Sequence, residues 1–312
     1  MAFDFSHVVA PFRMQPGLRR LAPGAQHLTP NRLDSPALHE KLAVLASHPA
    51  QALVAMPGFD AAPALHALAA QAGLEHPDAF ASESTDACTA IRLGWTLRRR
   101  RMHGSGPAEI GACIEALPPE WRLAGLLSLA FAEDFAVLDA ATHRIPWLAV
   151  CLPSRWAPED KVGGTFAEVH APVADSAVLV AAADPLLRLV TGAQRWERFV
   201  WTLADGPQLQ RHPHHCAPTR WNPLLDPNAL AATAYFRTER QTFIPLTGRR
   251  QALFTIHVEV RPLIAALESN DDAVRLHAAL ASMSPAVLDY RGLAPARARL
   301  LAWLEMRASG RG

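Results

Sequence analysis

Residues 133–175, EDFAVLDAATHRIPWLAVCLPSRWAPEDKVGGTFAEVHAPVAD, form the stretch on which the predicted fold depends. An apolar helical pattern leads into it. A short apolar run typical of a buried strand follows, and then a Pro/Trp-containing loop and a Lys-Gly-Gly turn. The stretch ends on TFAEVHAPV, where apolar residues alternate or continue around His170. Pro172 fixes its own φ angle and favours extended geometry at Ala171, so we expect His170 to lie on a stiff segment.

A histidine on a stiff segment beside an apolar wall has two possible roles. It can bind haem iron through a neutral imidazole, or it can be a buried residue that only makes hydrogen bonds. The pattern around His170 is compatible with both roles. His257, on a predicted strand, and His143, shortly before Pro146, are the alternative candidates for an iron ligand.

The charge balance excludes some classes of partner. The 312 residues include 30 basic and 29 acidic ones, a formal charge of +1, so we expect neither a nucleic-acid partner nor a membrane partner. The local run Arg98-Arg99-Arg100-Arg101 is interpreted as a solvated helix end or a docking surface.

Cysteine usage and known motifs exclude further classes. The four cysteines form no CxxC pair, which argues against a structural zinc or iron–sulfur site in this chain. The N-terminus resembles no signal peptide and no run is long enough to span a bilayer, so a cytoplasmic location is expected. GxSxG, HExxH, Walker and GxGxxG patterns are absent. The sequence therefore shows no sign that this chain itself binds a nicotinamide or a flavin.

The predicted architecture is one α+β domain over residues 1–312. Its predicted parts are an extended arm (1–35), a mainly helical part (36–142), a sheet core (143–262) and C-terminal helices (263–312). Helices are predicted at about 36–47, 59–72, 121–140, 262–280 and 294–306, and residues 178–203 are expected to begin as a strand and become helical. Residues 87–101 fit a helix or a strand pair.

Two β-rich runs, 232–246 and 251–263, predict a hairpin with Gly248 in its turn. Strand alternation places Arg237, Glu239 and Gln241 on one face of the first strand and Arg240 on the other. The basic residues of this strand fit either a cross-strand ladder of ion pairs or an anion-binding role.

Two polar clusters are open to a structural or a chemical interpretation. Of the adjacent Glu133 and Asp134, we expect one to face solvent and the other to cap a helix or pair with an arginine. The cluster His212–Cys216, HPHHC, supplies nitrogen and sulfur ligands, but neighbouring side chains point in different directions and no second cluster completes a site. We therefore interpret it as an exposed loop, with metal binding as the alternative.

An ordered series of short motifs spans nearly the whole chain: PFRMQPGLRRL, EDF, CLPSRW, KVGG, VHAPV, RTERQTF, ALFTIHV and DYRGLAPARARLLAWL. In this order they resemble the haem-dependent oxidative N-demethylase family, alpha-subunit-like. The chain differs from the family pattern at His257, where the family usually has arginine, and at 197–201, where an Arg-x-Asn-Trp segment is expected.

The resemblance implies a PAS-like curved antiparallel sheet with flanking and capping helices, holding haem b. His170 is the implied axial iron ligand. Lys161, Arg237 and Arg240 are candidates for pairing with the haem propionates, and Trp156 for the aromatic wall.

The implied reaction is the oxidative N-demethylation of a small secondary amine with O2, which releases formaldehyde. The electrons would come from NADPH through partner reductase subunits carrying FMN and an iron–sulfur cluster. Two alternatives remain: a haem-PAS gas or redox sensor without turnover, and a haem-free scaffold subunit.

Overall fold

The structure, a computed structural model, describes residues 3–310, so the predicted arm and the predicted C-terminal part each extend two residues beyond it. It has the α+β architecture expected from the sequence, with helices packed on antiparallel sheets. The strands are β1 (Arg19–Arg20), β2 (Leu53–Ala55), β3 (Phe80–Ser84), β4 (Ala87–Ala90), β5 (Trp95–Arg98), β6 (Arg101–Gly104), β7 (Asp134–Asp139), β8 (Arg144–Ala149), β9 (Trp196–Ala204), β10 (Tyr235–Pro245) and β11 (Gln251–Pro262).

The helices connect and cover these strands. They are α1 (Pro36–Ser47), α2 (Pro49–Ala52), α3 (Ala62–Glu75), α4 (Ala108–Ala116), α5 (Arg122–Ala130), α6 (Phe166–His170), α7 (Ala177–Ala181), α8 (Ala183–Val190), α9 (Pro227–Thr233), α10 (Leu263–Ala266), α11 (Asn270–Ala281), α12 (Pro285–Tyr290) and α13 (Arg297–Ala308). Within residues 3–310, no helix combines the length and apolar character needed to cross a bilayer.

A seven-stranded antiparallel sheet forms the centre, in the order β1-β9-β10-β11-β7-β8-β2. One face, with Phe135, Val137 and Trp147, packs on a core that includes residues of α1, α3 and α5. The other face, with Leu138 and Phe243, packs on α8. Side chains on the two faces alternate because successive strand residues point to opposite sides.

The predicted hairpin is confirmed as β10 and β11. Gly248 lies in the turn between them with φ +73°, a left-handed conformation that glycine adopts without strain. Thr242 and Thr255 are paired across the strands with their hydroxyl oxygens 2.7 Å apart, and the rings of Phe243 and Phe254 stack at 4.9 Å. These contacts fix the register of β10 against β11.

The helix predicted at 36–47 is confirmed as α1, with Pro36 at its first position. The prediction of a helix at 121–140 is confirmed by α5 only as far as Ala130. The prediction is wrong for the rest of this range, because strand β7 begins at Asp134. All six residues of β7 are buried, and β7 pairs with β8 and β11. A central strand is apolar on both faces, so its sequence does not show the alternation that identifies a strand.

Residues 178–203 adopt the reverse of the predicted order. The segment is helical through α7 and α8 and only then becomes strand β9. The predicted mainly helical part, 36–142, also contains strands β2 to β7. The predicted boundary between this part and the sheet core, after residue 142, falls between β7 and β8, which pair with each other.

Residues 87–101 contain strands β4 and β5 and the first residue of β6, with a short 3-10 helix (Ile91–Leu93) between β4 and β5, and these strands belong to a four-stranded sheet ordered β3-β4-β5-β6. Arg99 and Arg100 make the turn between β5 and β6 with φ angles of +47° and +64°. The arginine run therefore lies at an exposed hairpin turn, not at a helix end as one interpretation had it.

Glu133 and Asp134 are both buried, which corrects the expectation that one of them faces solvent. Asp134 accepts hydrogen bonds from the backbone N–H groups of Cys151 (3.0 Å) and Leu152 (2.7 Å). Its partner is Lys41 of α1, with Nζ 3.0 Å from Oδ1, rather than an arginine. This buried ion pair joins α1 to the start of the central strand β7.

Candidate functional site

A cavity of about 530 Å³ lies between one face of the central sheet and helices α6 and α8. Its walls are largely apolar, and ligand cavities in proteins commonly have this size and character. Polar residues in its lining include His170, Arg198, Arg237, Glu239, Tyr290 and Arg291.

His170 lies at the last position of α6, so the segment that carries it is a short helix rather than the apolar run expected from the sequence. A capping box between Thr165 and Glu168 starts this helix. His170 Nδ1 is 2.8 Å from the carbonyl oxygen of Phe166, and the two rings stack at 4.0 Å. The orientation of the imidazole is therefore fixed by its own helix.

The second ring nitrogen of His170 is available. A carbonyl accepts only, so Nδ1 must carry the proton and donate it, which leaves Nε2 as a lone-pair acceptor. Within residues 3–310, Nε2 has no hydrogen-bond partner. Burial lowers the pKa of His170 to about 4, and the positive charges of Arg198 and Lys161 act in the same direction. The imidazole is therefore neutral at pH 7, as a metal ligand must be.

We predict that His170 of the haem-free protein titrates near pH 4. Because its pKa in the folded chain, about 4, lies below the ordinary value of 6.5, the unfolded chain binds more protons between these values. The neutral imidazole thus contributes stability that is fully present above about pH 6.5 and is lost as the pH falls toward 4. NMR titration of the His170 ring protons measures this pKa, and a midpoint near 6.5 would contradict the buried geometry.

Lys161 and Trp156 lie beside His170 in the same cavity wall. Lys161 donates a hydrogen bond from Nζ to the carbonyl oxygen of Val169 (3.1 Å), at the C-terminal end of α6, where a positive charge is favourable. Its structural effect is to hold the helix that carries His170. Trp156 packs between the two apolar cores that meet at the cavity.

Arg237 lines the cavity, but its donors are already used. Its guanidinium donates to the Ser154 hydroxyl (2.7 Å from Nη2) and to the carbonyl oxygens of Gln208 (3.1 Å) and Leu209 (2.9 Å). Burial lowers its pKa to about 10, so it stays charged at pH 7. Arg237 therefore clamps the loop at 208–209 to the sheet.

Arg240 does not lie with the other predicted site residues, which corrects its assignment to the same site. Its side chain points to the opposite face of the sheet, as strand alternation requires. There Nε lies 2.9 Å from Glu197 Oε2, and Nη1 donates to the carbonyl oxygen of Gln26 (2.7 Å). The contacts of Arg240 thus agree with the prediction of cross-strand ion pairs rather than with an anion-binding role.

Arg198 on β9 is a charged cavity residue that the sequence analysis did not identify. It is paired with Gln241 in the sheet register, and its side chain lines the cavity. Its Nε is buried without a hydrogen-bond partner among the described residues, and the described part of the chain offers it no ion pair. Burial lowers its pKa. An unpaired cation of this kind is a site for an anionic group.

The carboxylate of Glu239 also lines the cavity, and hydrogen bonds fix its orientation. Glu239 accepts hydrogen bonds from the Ser154 hydroxyl and from Gln241 Nε2 (2.7 Å).

Tyr290 and Arg291 are two further polar residues of the cavity lining. Burial raises the pKa of the Tyr290 phenol, which is neutral at pH 7. Arg291 donates to the carbonyl oxygen of Trp201 (2.5 Å) and lies over the ring of Phe12 at 4.5 Å.

The alternative iron ligands lie elsewhere. His257 is opposite Arg240 in the sheet register and faces away from the cavity, with Nδ1 3.7 Å from Glu133 Oε1. His143 forms the exposed turn between β7 and β8, with Nδ1 2.9 Å from Asp184 Oδ1. Of the three candidate histidines, His170 is the one that lines the cavity.

The His212–Cys216 cluster lies at the edge of the same cavity, which Arg211 and Pro213 line. His212 is only 4% exposed, so the expectation of an exposed loop is wrong at this residue. Its Nε2 is 3.1 Å from a carboxylate oxygen of Glu159, a residue that the sequence analysis did not connect with the cluster.

The donor set of the cavity fits a haem group. A neutral imidazole with a free nitrogen suits iron, and an unpaired guanidinium suits a propionate. The apolar wall suits the porphyrin ring. A family model described as "Haem-dependent oxidative N-demethylase, alpha subunit-like" matches residues 36–301 of the chain.

Proposed function

The chain belongs to the haem-dependent oxidative N-demethylase, alpha subunit-like family, and on this premise we propose that it oxidatively N-demethylates a small secondary amine. The proposed cofactor is haem b, held in the His170 cavity. The observation that carries this proposal is the imidazole of His170, which is fixed through Nδ1 and free at Nε2 in a largely apolar cavity.

Three sets of cavity residues would hold haem. His170 Nε2 would bind the iron and Arg198 a propionate. Trp156, Phe243 and Phe254 would contact the porphyrin. Haem would supply the O2 chemistry, which amino-acid side chains lack. Lys161 and Arg237 support this arrangement indirectly, by holding α6 and the loop at 208–209.

The chain's own residues would orient the reactants and exclude water. The hydrogen bond from His170 Nδ1 to the Phe166 carbonyl keeps the proton on that nitrogen, so Nε2 stays a ligand. Glu239, oriented by Ser154 and Gln241, offers a negative charge that a protonated amine would meet inside the cavity. The apolar walls strengthen this attraction because they lower the local dielectric constant.

The proposed reaction requires electrons from a partner. Conversion of an N-methylamine and O2 to the demethylated amine, formaldehyde and water consumes two electrons and two protons. The chain has no dinucleotide-binding motif. The proposed donor is a reductase that carries FMN and an iron–sulfur cluster and oxidises NADPH. The description of the family as alpha subunit-like supports an enzyme with further components.

We also propose that the central sheet is PAS-like. Hairpin β7–β8 is followed by helices α6 to α8 and then by the meander β9–β10–β11, whose last strand returns to pair with β7. Helices α6 and α8, which lie between these two groups of strands in the chain, form one wall of the cavity. This arrangement supports the prediction of a curved antiparallel sheet with capping helices.

The test is formaldehyde release by the chain loaded with haem b. Dimethylamine, the simplest secondary N-methylamine, is supplied with air, a chemical reductant and an electron mediator, and catalase removes free peroxide. We expect formaldehyde that depends on amine, O2 and haem. A haem-loaded protein that binds carbon monoxide reversibly but demethylates none of a panel of secondary amines would contradict the proposal and favour the sensor alternative.

Arg198→Leu is predicted to release haem faster without destabilising the haem-free protein. Loss of a charge-assisted hydrogen bond to a propionate, about 1.5–3 kcal/mol, corresponds to about 10- to 150-fold faster dissociation. The haem-free variant should unfold at the same or a higher urea concentration, because a buried Nε that lacks a hydrogen-bond partner is removed.

Transfer of haem to a haem-free acceptor protein measures the dissociation rate. Arg240→Leu is the matched control, since this arginine lies on the neighbouring strand but on the opposite face. The control should leave haem dissociation unchanged. Equal dissociation rates for wild type and Arg198→Leu would show that Arg198 holds no propionate.

A further inference from the structure

Three side chains from two separate segments meet at the edge of the cavity. Glu159 lies in the 3-10 helix Pro158–Asp160, and His212 and His214 lie in the loop that follows β9. One potential ligand atom of each residue lies within 4.8 Å of those of the other two. The carboxylate of Glu159 is 3.1 Å from His212 Nε2 and 3.9 Å from His214 Nδ1.

The two segments are held together independently of this cluster. Ser154 and Arg211 form a parallel bridge, the N–H of Arg155 donates to the carbonyl of Arg211 (3.0 Å), and the N–H of Arg211 donates to the carbonyl of Pro153 (2.9 Å). His212 is buried and His214 is exposed. The cluster is therefore held in place by backbone contacts, and it is open to solvent on one side.

We propose that Glu159, His212 and His214 bind a divalent transition-metal ion of the Zn²⁺ class. Two imidazole nitrogens and one carboxylate oxygen are a common ligand set for such ions, and the exposed side leaves a coordination position for water. The ion would join the segment at 154–160 to the loop at 211–214 and so fix one edge of the cavity. This site is separate from the proposed haem iron ligand, His170.

Metal binding requires one change of proton position. The N–H of His214 donates to His212 Nδ1 (3.2 Å), so in the metal-free chain the proton of neutral His212 is on Nε2 and faces Glu159. A metal on Nε2 moves that proton to Nδ1 and releases the His214 N–H to solvent. The bond that is exchanged is long and lies at an exposed residue, where water replaces it.

The test is titration of the full chain with ZnCl2 by isothermal calorimetry, combined with ¹⁵N NMR of the His212 ring. We expect one Zn²⁺ per chain and a change of the His212 tautomer on binding. His214→Ala and Glu159→Gln should each weaken binding by about 10-fold or more. Both residues are at least partly exposed, so these variants are expected to fold.

His103→Ala is the matched control, because His103 is an exposed histidine in β6, outside the cluster. Its affinity for Zn²⁺ should equal that of the wild type. Absence of calorimetric binding to wild type, or equal affinities for wild type, His214→Ala and Glu159→Gln, would overturn the proposal. An unchanged His212 tautomer in the zinc-saturated chain would also overturn it.

Discussion

His170→Ala is expected to abolish stable haem binding by the purified chain. The imidazole is the neutral side chain that presents an unpaired ring nitrogen to the cavity, and alanine supplies no axial ligand in its place. The fold should survive, because the side chain makes one hydrogen bond, to its own helix. Absorption spectra of wild type and variant after haem loading measure the effect as loss or displacement of the Soret band.

The other two candidate histidines provide the controls. His257→Ala and His143→Ala should leave the Soret band unchanged, because His257 faces away from the cavity and His143 lies in an exposed turn. An unchanged band in His170→Ala together with a lost band in either control would move the iron ligand away from the cavity. Circular dichroism of all three variants separates loss of haem from loss of fold.

Lys41→Met is expected to destabilise the chain by about 3–5 kcal/mol. Lys41 and Asp134 form an ion pair whose side chains are 0% and 1% exposed, and Lys41 Nζ also donates to the carbonyl oxygens of Phe131 (3.2 Å) and Glu133. Methionine fills a similar volume but leaves the carboxylate of Asp134 buried without its cation. Urea unfolding of the haem-free protein measures the change in the free energy of unfolding.

A surface ion pair gives the comparison. Arg32 and Asp34 are each 76% exposed, so Arg32→Met should cost at most about 1 kcal/mol. If Lys41→Met cost no more than this control, then the ion pair would not stabilise the junction of α1 with β7.

The parts of the fold that sequence predicted are those with strong local signals. Helix α1 begins at a Ser-Pro pair, and the β10–β11 hairpin has alternating residues on both sides of a glycine turn. Strand β7 was predicted to be helical because it follows α5 closely and its four inner residues are apolar. Residues 134–139 form a strand because they pair with β11 and β8. Such pairing depends on the tertiary fold, so the local sequence does not show it.

The absence of tertiary information from local sequence also explains which site residues were identified and which were missed. Assignment of His170 to the cavity wall needed only the local sequence and the family resemblance. Arg198 was missed because β9 was predicted to be helical, so the alternation that puts Arg198 on the face of Gln241 was not applied. Arg240 was assigned to the site for its charge, although the same alternation already placed it opposite Arg237. The link between Glu159 and His212 spans 53 residues and leaves no local signal.

The most direct test of the account is a crystal structure of the chain loaded with haem b. We predict haem in the cavity between the central sheet and helices α6 and α8, with iron bonded to His170 Nε2 and a propionate paired with Arg198. Haem bound through His257 or His143, or held outside this cavity, would contradict the proposed site and the function derived from it.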